Sequence, residues 1–198
     1  LAAYYRDEAR WSTKKLIRAI VLSRAYQMAS EPNADGMKAD PENRLLWRMN
    51  RQRLEAEAIR DTILTVSGQL DRTAMGNTIK KGTIAEREYL FDDVRRSVYT
   101  PIFRNRLHEL FEVFDFPDPN MVLGRRNVST VPTQALYLMN DADVLQTADA
   151  FAERLLAHDG NDERRIKLAF ELALGREPEG SELSLVQRFL REFPAQLR

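Results

Sequence analysis

The chain has 198 residues, of which 43% are hydrophobic and 30% are charged, and its 30 basic residues balance 30 acidic ones. This composition is typical of one globular domain or two small ones, and zero net charge argues against nucleic-acid binding through bulk positive charge. The lack of cysteine excludes disulfides, thiolate metal sites, a cysteine nucleophile and covalent haem attachment within this sequence. No apolar run is long enough to span a bilayer.

Helix-start and helix-stop residues dominate the local signals, so the sequence predicts a mainly α-helical fold. Ser12, Asp40-Pro41 and Asn161 are typical of helix starts, whereas Gly68 and Gly175 are typical of residues that follow a helix. The predicted helices are 13–28, one that starts at Asp40, 51–67, 106–114, one with Pro132 in its first turn, 141–157, 161–174 and 181–193, which Pro194 stops.

The segments between these helices are predicted to be loops, with one exception. Residues 31–40 and 69–88 are polar and contain glycine or proline, which indicates loops. Residues 94–103 are rich in β-branched and aromatic side chains, and they form the best candidate for an edge strand. The expected architecture is therefore all-α, an irregular multi-helix bundle with long loops and at most one short strand pair. We expect one domain over 1–198, with a possible C-terminal helical subdomain over 141–198.

The densest group of polar side chains lies in segment 124–140, GRRNVSTVPTQALYLMN. Its candidate ligand-binding residues are Arg125, Arg126, Asn127, Ser129, Thr130 and Gln134. Two arginines beside a helix start favour an anion such as a carboxylate, sulfate or phosphate. In the structural alternative, Ser129 or Thr130 caps the helix and the arginines pair with acidic side chains. A nucleophilic role for Ser129 needs a neighbouring base, and the sequence indicates none.

Charged residues elsewhere indicate a structural ion-pair network more than a catalytic site. The predicted members of this network are Arg53, Glu57, Arg60, Asp61, Asp115 and Asp118. Glu57 and Asp61 lie one helical turn apart, a spacing that also suits a metal-binding or acid–base carboxylate pair. Flanking arginines keep such carboxylates ionised, which favours salt bridges over a general acid.

Two weaker patterns bear on metal binding. Asp115, Asp118 and Asn120 alternate in a turn, as calcium ligands do, but the glycine and closing glutamate of an EF-hand are missing. His108 and His158 are the two histidines of the chain, so a three-histidine zinc site is impossible. A structural interpretation is favoured for both patterns, and no metal is predicted.

Six stretches in chain order carry a family resemblance: WSTKKLIRAIVLSRAYQMAS, NRLLWRMNRQRLEAEAIRDTILTVSGQLD, RRSVYTPIFRN, FDFPDPN, GRRNVSTVPTQALYLMND and LALGREPEGSEL. Together they resemble the C-terminal domain of unknown function in planctomycete cytochrome-c-domain proteins. The resemblance implies a large exported protein in which a cytochrome-c-like domain precedes this region, so that any haem belongs to that upstream domain. It implies a periplasmic or exported location and brings no known catalytic residues.

Two functions therefore remain open from the sequence. The first is a non-catalytic structural or interaction domain whose partners are other domains of the parent protein, among them the cytochrome-like one. The second is a domain that binds an anion or acidic carbohydrate, or hydrolyses one, through the Arg125–Arg126 segment. The sequence begins in residues typical of a helix, without a signal peptide, and we expect it to be a piece of a longer protein. It predicts no nucleic-acid partner, and it leaves the oligomeric state open.

Overall fold

The computed structural model describes residues 1–79 and 81–196, and for 194–196 it describes the backbone alone. Within these residues the fold is mainly helical, with eight α-helices, a π-helical segment at Tyr4–Glu8 and no β-strand. The predicted fold class is confirmed. Contacts divide the chain into two compact units, Leu1–Arg53 and Leu54–Arg198. The single domain and the 141–198 subdomain stay predictions.

The first unit contains two short helices, α1 (Thr13–Val21) and α2 (Ala34–Ala39). Ser12 caps α1 as predicted, since its Oγ accepts from the Lys15 N–H at 3.5 Å. The helix ends at Val21 and not at residue 28, because the Ser23 hydroxyl donates to the Ile20 carbonyl at 2.7 Å. Such a bond competes with the next helical turn.

Residues 31–50 differ from the sequence prediction in both halves. The expected loop contains α2, because Asn33 Oδ1 accepts from the Gly36 N–H at 2.7 Å and starts a helix. The helix expected after Asp40 is absent, and that prediction was wrong. There, Asp40 Oδ2 accepts from Leu45 N–H at 2.7 Å, and the Asn43 side chain binds both backbone groups of Arg48. Side chains thus take the backbone groups that a helix would use.

The second unit is built around α3 (Ala56–Ser67), α4 (Glu109–Val113) and α5 (Pro132–Asn140). Both α3 and α4 begin a few residues later than predicted, whereas α3 ends as predicted at Gly68, which has a φ of 82°. A buried apolar cluster of Ala56, Leu110, Phe111 and Phe114 lies between α3 and α4, and Tyr137 of α5 packs against it. Burial of these apolar side chains is the main force that holds the three helices together.

Three longer helices complete the second unit: α6 (Ala142–Leu156), α7 (Asp162–Leu174) and α8 (Gly180–Gln196). Helix α6 packs against α3, and the Arg154 guanidinium donates to the Thr65 and Val66 carbonyls at the end of α3, at 3.1 and 2.7 Å. A cation at that position also complements the helix dipole. Pro194 does not stop α8, which continues to Gln196.

The strand expected over 94–103 does not form, and that prediction was wrong. The segment contains a 3₁₀ turn at Ser97–Tyr99 and takes part in two isolated bridges, Asp71 to Arg95 and Phe103 to Arg106. Side chains of α3 take its backbone groups, since Arg60 donates to the carbonyls of residues 93 and 95 and Asp61 accepts from Ser97 N–H. A strand would need those groups for its ladder.

Candidate functional site

The polar segment 124–134 leads into α5, and three of its side chains tie it to other parts of the second unit by hydrogen bonds. The first of these ties is the ion pair of Arg126. The guanidinium donates to both carboxylate oxygens of Glu57 at 2.7 and 2.8 Å, and it lies 3.3 Å from Glu55. It also covers the ring of Phe116, 5.5 Å from the centroid. Phe116 in turn stacks on the fully buried Phe111 at 5.0 Å. Arg126 therefore joins the start of α3 to the aromatic core.

This ion pair determines the protonation state of its carboxylate. Burial by itself would raise the pKa of Glu57, but the hydrogen bonds and the charge of Arg126 outweigh burial and hold that pKa below its usual value. The pKa of Arg126 is raised in turn, chiefly by its hydrogen bonds to Glu57. Glu57 is therefore an ionised acceptor and is unsuited to act as a general acid near neutral pH.

A second tie joins Ser129 to Asp115, the residue that follows α4 and its C-cap. Asp115 has a φ of 60°, and Phe116 N–H donates to the Phe111 carbonyl at 3.0 Å. This is the Schellman arrangement, in which glycine is the usual left-handed residue. The Asp115 carboxylate accepts from Ser129 N–H at 2.7 Å and from the Ser129 hydroxyl at 2.9 Å. The strained position thus carries a side chain that fixes the segment before α5.

A third tie comes from Gln134, which is 3% exposed. Its Nε2–H donates to the Val113 carbonyl at 3.1 Å and to Ser129 Oγ at 3.3 Å, so that it joins α5 to the end of α4. The N-cap of α5 is Val131. The expectation that Ser129 or Thr130 caps this helix was therefore wrong, because Asp115 holds the Ser129 side chain instead.

The other three candidate ligand-binding residues of the segment, Arg125, Asn127 and Thr130, are all exposed. Arg125 pairs with none of the acidic side chains that the structure describes. The two neighbouring arginines thus differ, since Arg126 is held and Arg125 is available to solvent. The ligand-binding role of the segment stays a prediction.

The remaining members of the predicted ion-pair network bind backbone groups for the most part. Arg60, which is 6% exposed, donates to the carbonyls of residues 93 and 95 and to Ser97 Oγ at 3.3 Å. Asp61 accepts from Ser97 N–H at 2.7 Å, and Asp118 accepts from Asn120 N–H at 2.8 Å. Arg53 lies in the first unit. The structural network as a whole stays a prediction.

The sequence did not indicate a cavity of about 280 Å³ in the second unit. Arg60 of α3, His108 before α4, Tyr137 of α5 and Asp143 of α6 supply polar groups to its wall. A second hollow adjoins it, and His108, Tyr137 and Asp143 line both. The concave shape, the apolar wall and the convergent polar groups are typical of a ligand site.

His108 is the least exposed polar group of this cavity after Arg60, at 8%. Its Nδ1 accepts from Leu110 N–H at 3.2 Å, which caps α4 and leaves the proton on Nε2. Burial and then the charge of Arg60 lower the pKa of His108 to about 4. The sequence showed a lone histidine near apolar residues, and nothing in its spacing indicated that α3, α5 and α6 would converge on it.

Metal binding finds no support in the part of the chain that the structure describes. There, no group of three or more histidine, aspartate or glutamate side chains is placed to hold an ion. Asp118 and Asn120 bind each other, and Asn120 Nδ2–H also donates to the Arg104 carbonyl at 3.1 Å. Within residues 1–79 and 81–196, no helix combines the length and apolar character needed to cross a bilayer.

Comparison with protein-family models matches residues 1–190 to PSD1, described as a protein of unknown function (DUF1553). The chain belongs to the PSD1 family. PSD1 domains occur in planctomycete cytochrome-c-domain proteins, so the resemblance seen in the sequence is confirmed. No characterised protein and no solved structure matched the chain. The lack of cysteine means that this PSD1 chain itself holds no Cys-x-x-Cys-His haem motif.

Proposed function

We propose that this PSD1 chain is a non-catalytic structural and interaction domain of a larger exported protein. The observation that carries the proposal is that the signature segment, residues 124–140, uses three of its polar side chains to bind other parts of the same chain. Arg126, Ser129 and Gln134 direct their side chains to Glu57, Asp115 and Val113, at 2.7–3.1 Å. These side chains therefore hold the loop after α4 and the start of α5 in place. A catalytic segment would instead leave such groups free to reach a substrate.

Exposed apolar side chains support the interaction part of the proposal. On α8, Leu185, Phe189, Leu190 and Phe193 are all exposed, and the two phenylalanine rings stack at 4.7 Å. Apolar residues grouped on one surface often mark a protein interface. The occurrence of PSD1 domains in cytochrome-c-domain proteins supplies the partner: another domain of the same polypeptide, such as the cytochrome-like one.

The proposal is tested by titration of the separately produced cytochrome-c-like domain into this chain, followed by calorimetry. We expect binding that a Phe189→Ser, Phe193→Ser double variant weakens about tenfold or more, because each ring is an aromatic anchor. Arg191→Ala on the same helix is the matched control and should leave the affinity unchanged. Lack of binding between the two pieces, or equal binding by the double variant, would count against this assignment.

An alternative function rests on Arg125, which is exposed and pairs with no described acidic side chain. An anion or acidic carbohydrate would bind this guanidinium, with Asn127 and Thr130 beside it in the sequence. Sulfate and glucuronate are suitable probes for calorimetric titration. Arg125→Ala should abolish their binding, and Arg191→Ala should not. If neither anion binds, or if both variants bind alike, the alternative is wrong.

Ser129 does not support a hydrolytic version of this alternative. Its hydroxyl donates to Asp115, whose carboxylate already accepts from the backbone N–H of Ser129. The same oxygen accepts from Gln134 at 3.3 Å. The side chain is therefore held on both sides inside the loop, without a neighbouring histidine to activate it.

A further inference from the structure

The cavity at His108 has three properties that together specify a ligand. It is concave and bounded by residues 91–94 and by parts of α3, α4, α5 and α6. It contains a buried polar side chain with an unused donor, and burial disfavours a charge beside His108 and Tyr137. None of them depends on the proposed interaction function.

The unused donor is the Nε2–H of His108. Nδ1 is occupied by Leu110 N–H at 3.2 Å, and no described group accepts from Nε2. The ring is 8% exposed and lies between Phe91 and Phe111, with centroids 5.5 and 5.4 Å away. Nε2 itself is not among the fully buried polar atoms that lack a partner, so this donor is open to the cavity, where a ligand oxygen would replace water.

Acceptors face the same space from α6. The Asp143 carboxylate lines both hollows and has no hydrogen-bond partner among the described residues. Gln146 and Thr147 follow on the wall of the first hollow. A ligand there needs hydrogen-bond donors for the carboxylate and acceptors for the imidazole. Hydroxyl groups meet both needs, because each one can donate and accept.

The titratable walls indicate that the ligand is uncharged. Burial and the charge of Arg60 lower the pKa of His108 to about 4, so a positive charge at that wall is unfavourable. Burial, followed by the charges of Asp141 and Asp143, raises the pKa of Tyr137 above its ordinary value. A negative charge is therefore unfavourable beside Tyr137, and the Asp92, Asp93 and Asp143 side chains that line the cavity add to this for an anion. Burial is the first cause of both pKa shifts, so a charged group beside either ring loses hydration that a neutral molecule does not need.

We propose that the cavity between α3, α4, α5 and α6 binds a neutral, hydroxyl-rich ligand of the size of one sugar ring, held by His108 Nε2–H and the Asp143 carboxylate. The cavity volume of about 280 Å³ lies just below the usual range for small-ligand pockets, which fits a ligand no larger than one sugar ring. Ile63, Leu64 and Val144 supply its apolar wall, which suits the C–H face of such a ring.

The test uses saturation-transfer NMR and calorimetry with three neutral probes: methyl β-glucopyranoside, methyl β-galactopyranoside and N-acetylglucosamine. Butylammonium and glucuronate serve as charged counter-probes. The variants are His108→Asn, which keeps an acceptor for Leu110 N–H, and Asp143→Ala, whose side chain is exposed. Asp149→Ala, an exposed aspartate on another face of α6, is the matched control.

We expect at least one neutral sugar to bind, and we expect each site variant to weaken it about tenfold, the effect of one lost hydrogen bond. The control should bind as the wild type does. The proposal is overturned if no neutral probe binds, if Asp143→Ala binds unchanged, or if either charged probe binds better than every sugar. Should His108→Asn fail to fold, Asp143→Ala decides the question alone.

Discussion

The pH dependence of stability should be governed in part by His108, the histidine that caps α4. Its ring is buried between Phe91 and Phe111, with the Arg60 guanidinium on the side of α3. Burial is the main cause that lowers its pKa to about 4, the charge of Arg60 adds to it, and the charge of Asp141 opposes it. The folded protein therefore holds this imidazole neutral at a pH where the unfolded chain protonates it.

The sign and size of the effect follow from the two pKa values. An unfolded histidine titrates near 6.5, so below that pH the unfolded state binds a proton that the folded state does not. Stability from this group is present above pH 6.5 and is lost as the pH falls towards 4. The full difference is about 3 kcal/mol, and about 2 kcal/mol of it is lost between pH 7 and pH 5.

The assay compares urea denaturation of the wild type and His108→Asn at both pH values. Asparagine is a good N-cap and does not titrate, so the stability difference between the two proteins should change by about 2 kcal/mol. His158→Asn, at an exposed position after α6, should parallel the wild type. An imidazole NMR titration of His108 with a midpoint near its ordinary pKa would refute the reasoning, as would equal pH dependence in wild type and His108→Asn.

Three further substitutions test the ties in each unit. Arg126→Ala should lower the free energy of unfolding by about 1–2 kcal/mol, because Arg126 and Glu57 are 35% and 27% exposed and solvent screens the pair. The control Arg125→Ala should change the free energy of unfolding by less than about 0.5 kcal/mol. Equal effects of the two substitutions would show that the ion pair is not stabilising. Asp115→Gly should lower the free energy of unfolding by about 1 kcal/mol less than Asp115→Ala does, because alanine is strained at a φ of 60° and glycine is not. The reverse order of stability in thermal denaturation would contradict this. Gly36→Ala would place a Cβ 2.4 Å from the Trp47 ring, which should lower the free energy of unfolding by about 1–3 kcal/mol and shift the tryptophan fluorescence. At the control position, a Cβ added by Gly124→Ala meets no atom within 4 Å. That substitution should leave the stability and the fluorescence unchanged.

Local rules predicted the helix ends well where a side chain or a glycine acts on its own backbone neighbours. Asp141 and Asn161 cap α6 and α7, and Gly68 and Gly175 adopt left-handed conformations after α3 and α7. Each of these signals depends on residues within one helical turn. They were therefore readable from sequence spacing, as was the mainly helical class.

The errors share a different cause, which is the capture of backbone groups by distant side chains. Residues 94–103 have strand-like composition, but Arg60 and Asp61 of α3 bind the carbonyls and the N–H that a strand would use. Ser129 looks like an N-cap in the sequence, and Asp115 holds it from fourteen residues away. No periodicity reports such partners, because they are set by how α3 and α4 pack.

The signature segment and the His108 cavity are physically connected through α5. Gln134 ties the first turn of this helix to the Val113 carbonyl at 3.1 Å, and Tyr137, three residues on, forms part of the cavity wall. Gln134, which binds the Val113 carbonyl, and Tyr137, which lines the cavity, therefore lie on the same turn of α5. Because a helix moves as a rigid element, displacement of Gln134 also displaces Tyr137. Gln134 thus positions the wall of a cavity that it does not itself line. We therefore expect Gln134→Leu to weaken the proposed sugar binding, whereas Asp149→Ala on α6 should leave it unchanged.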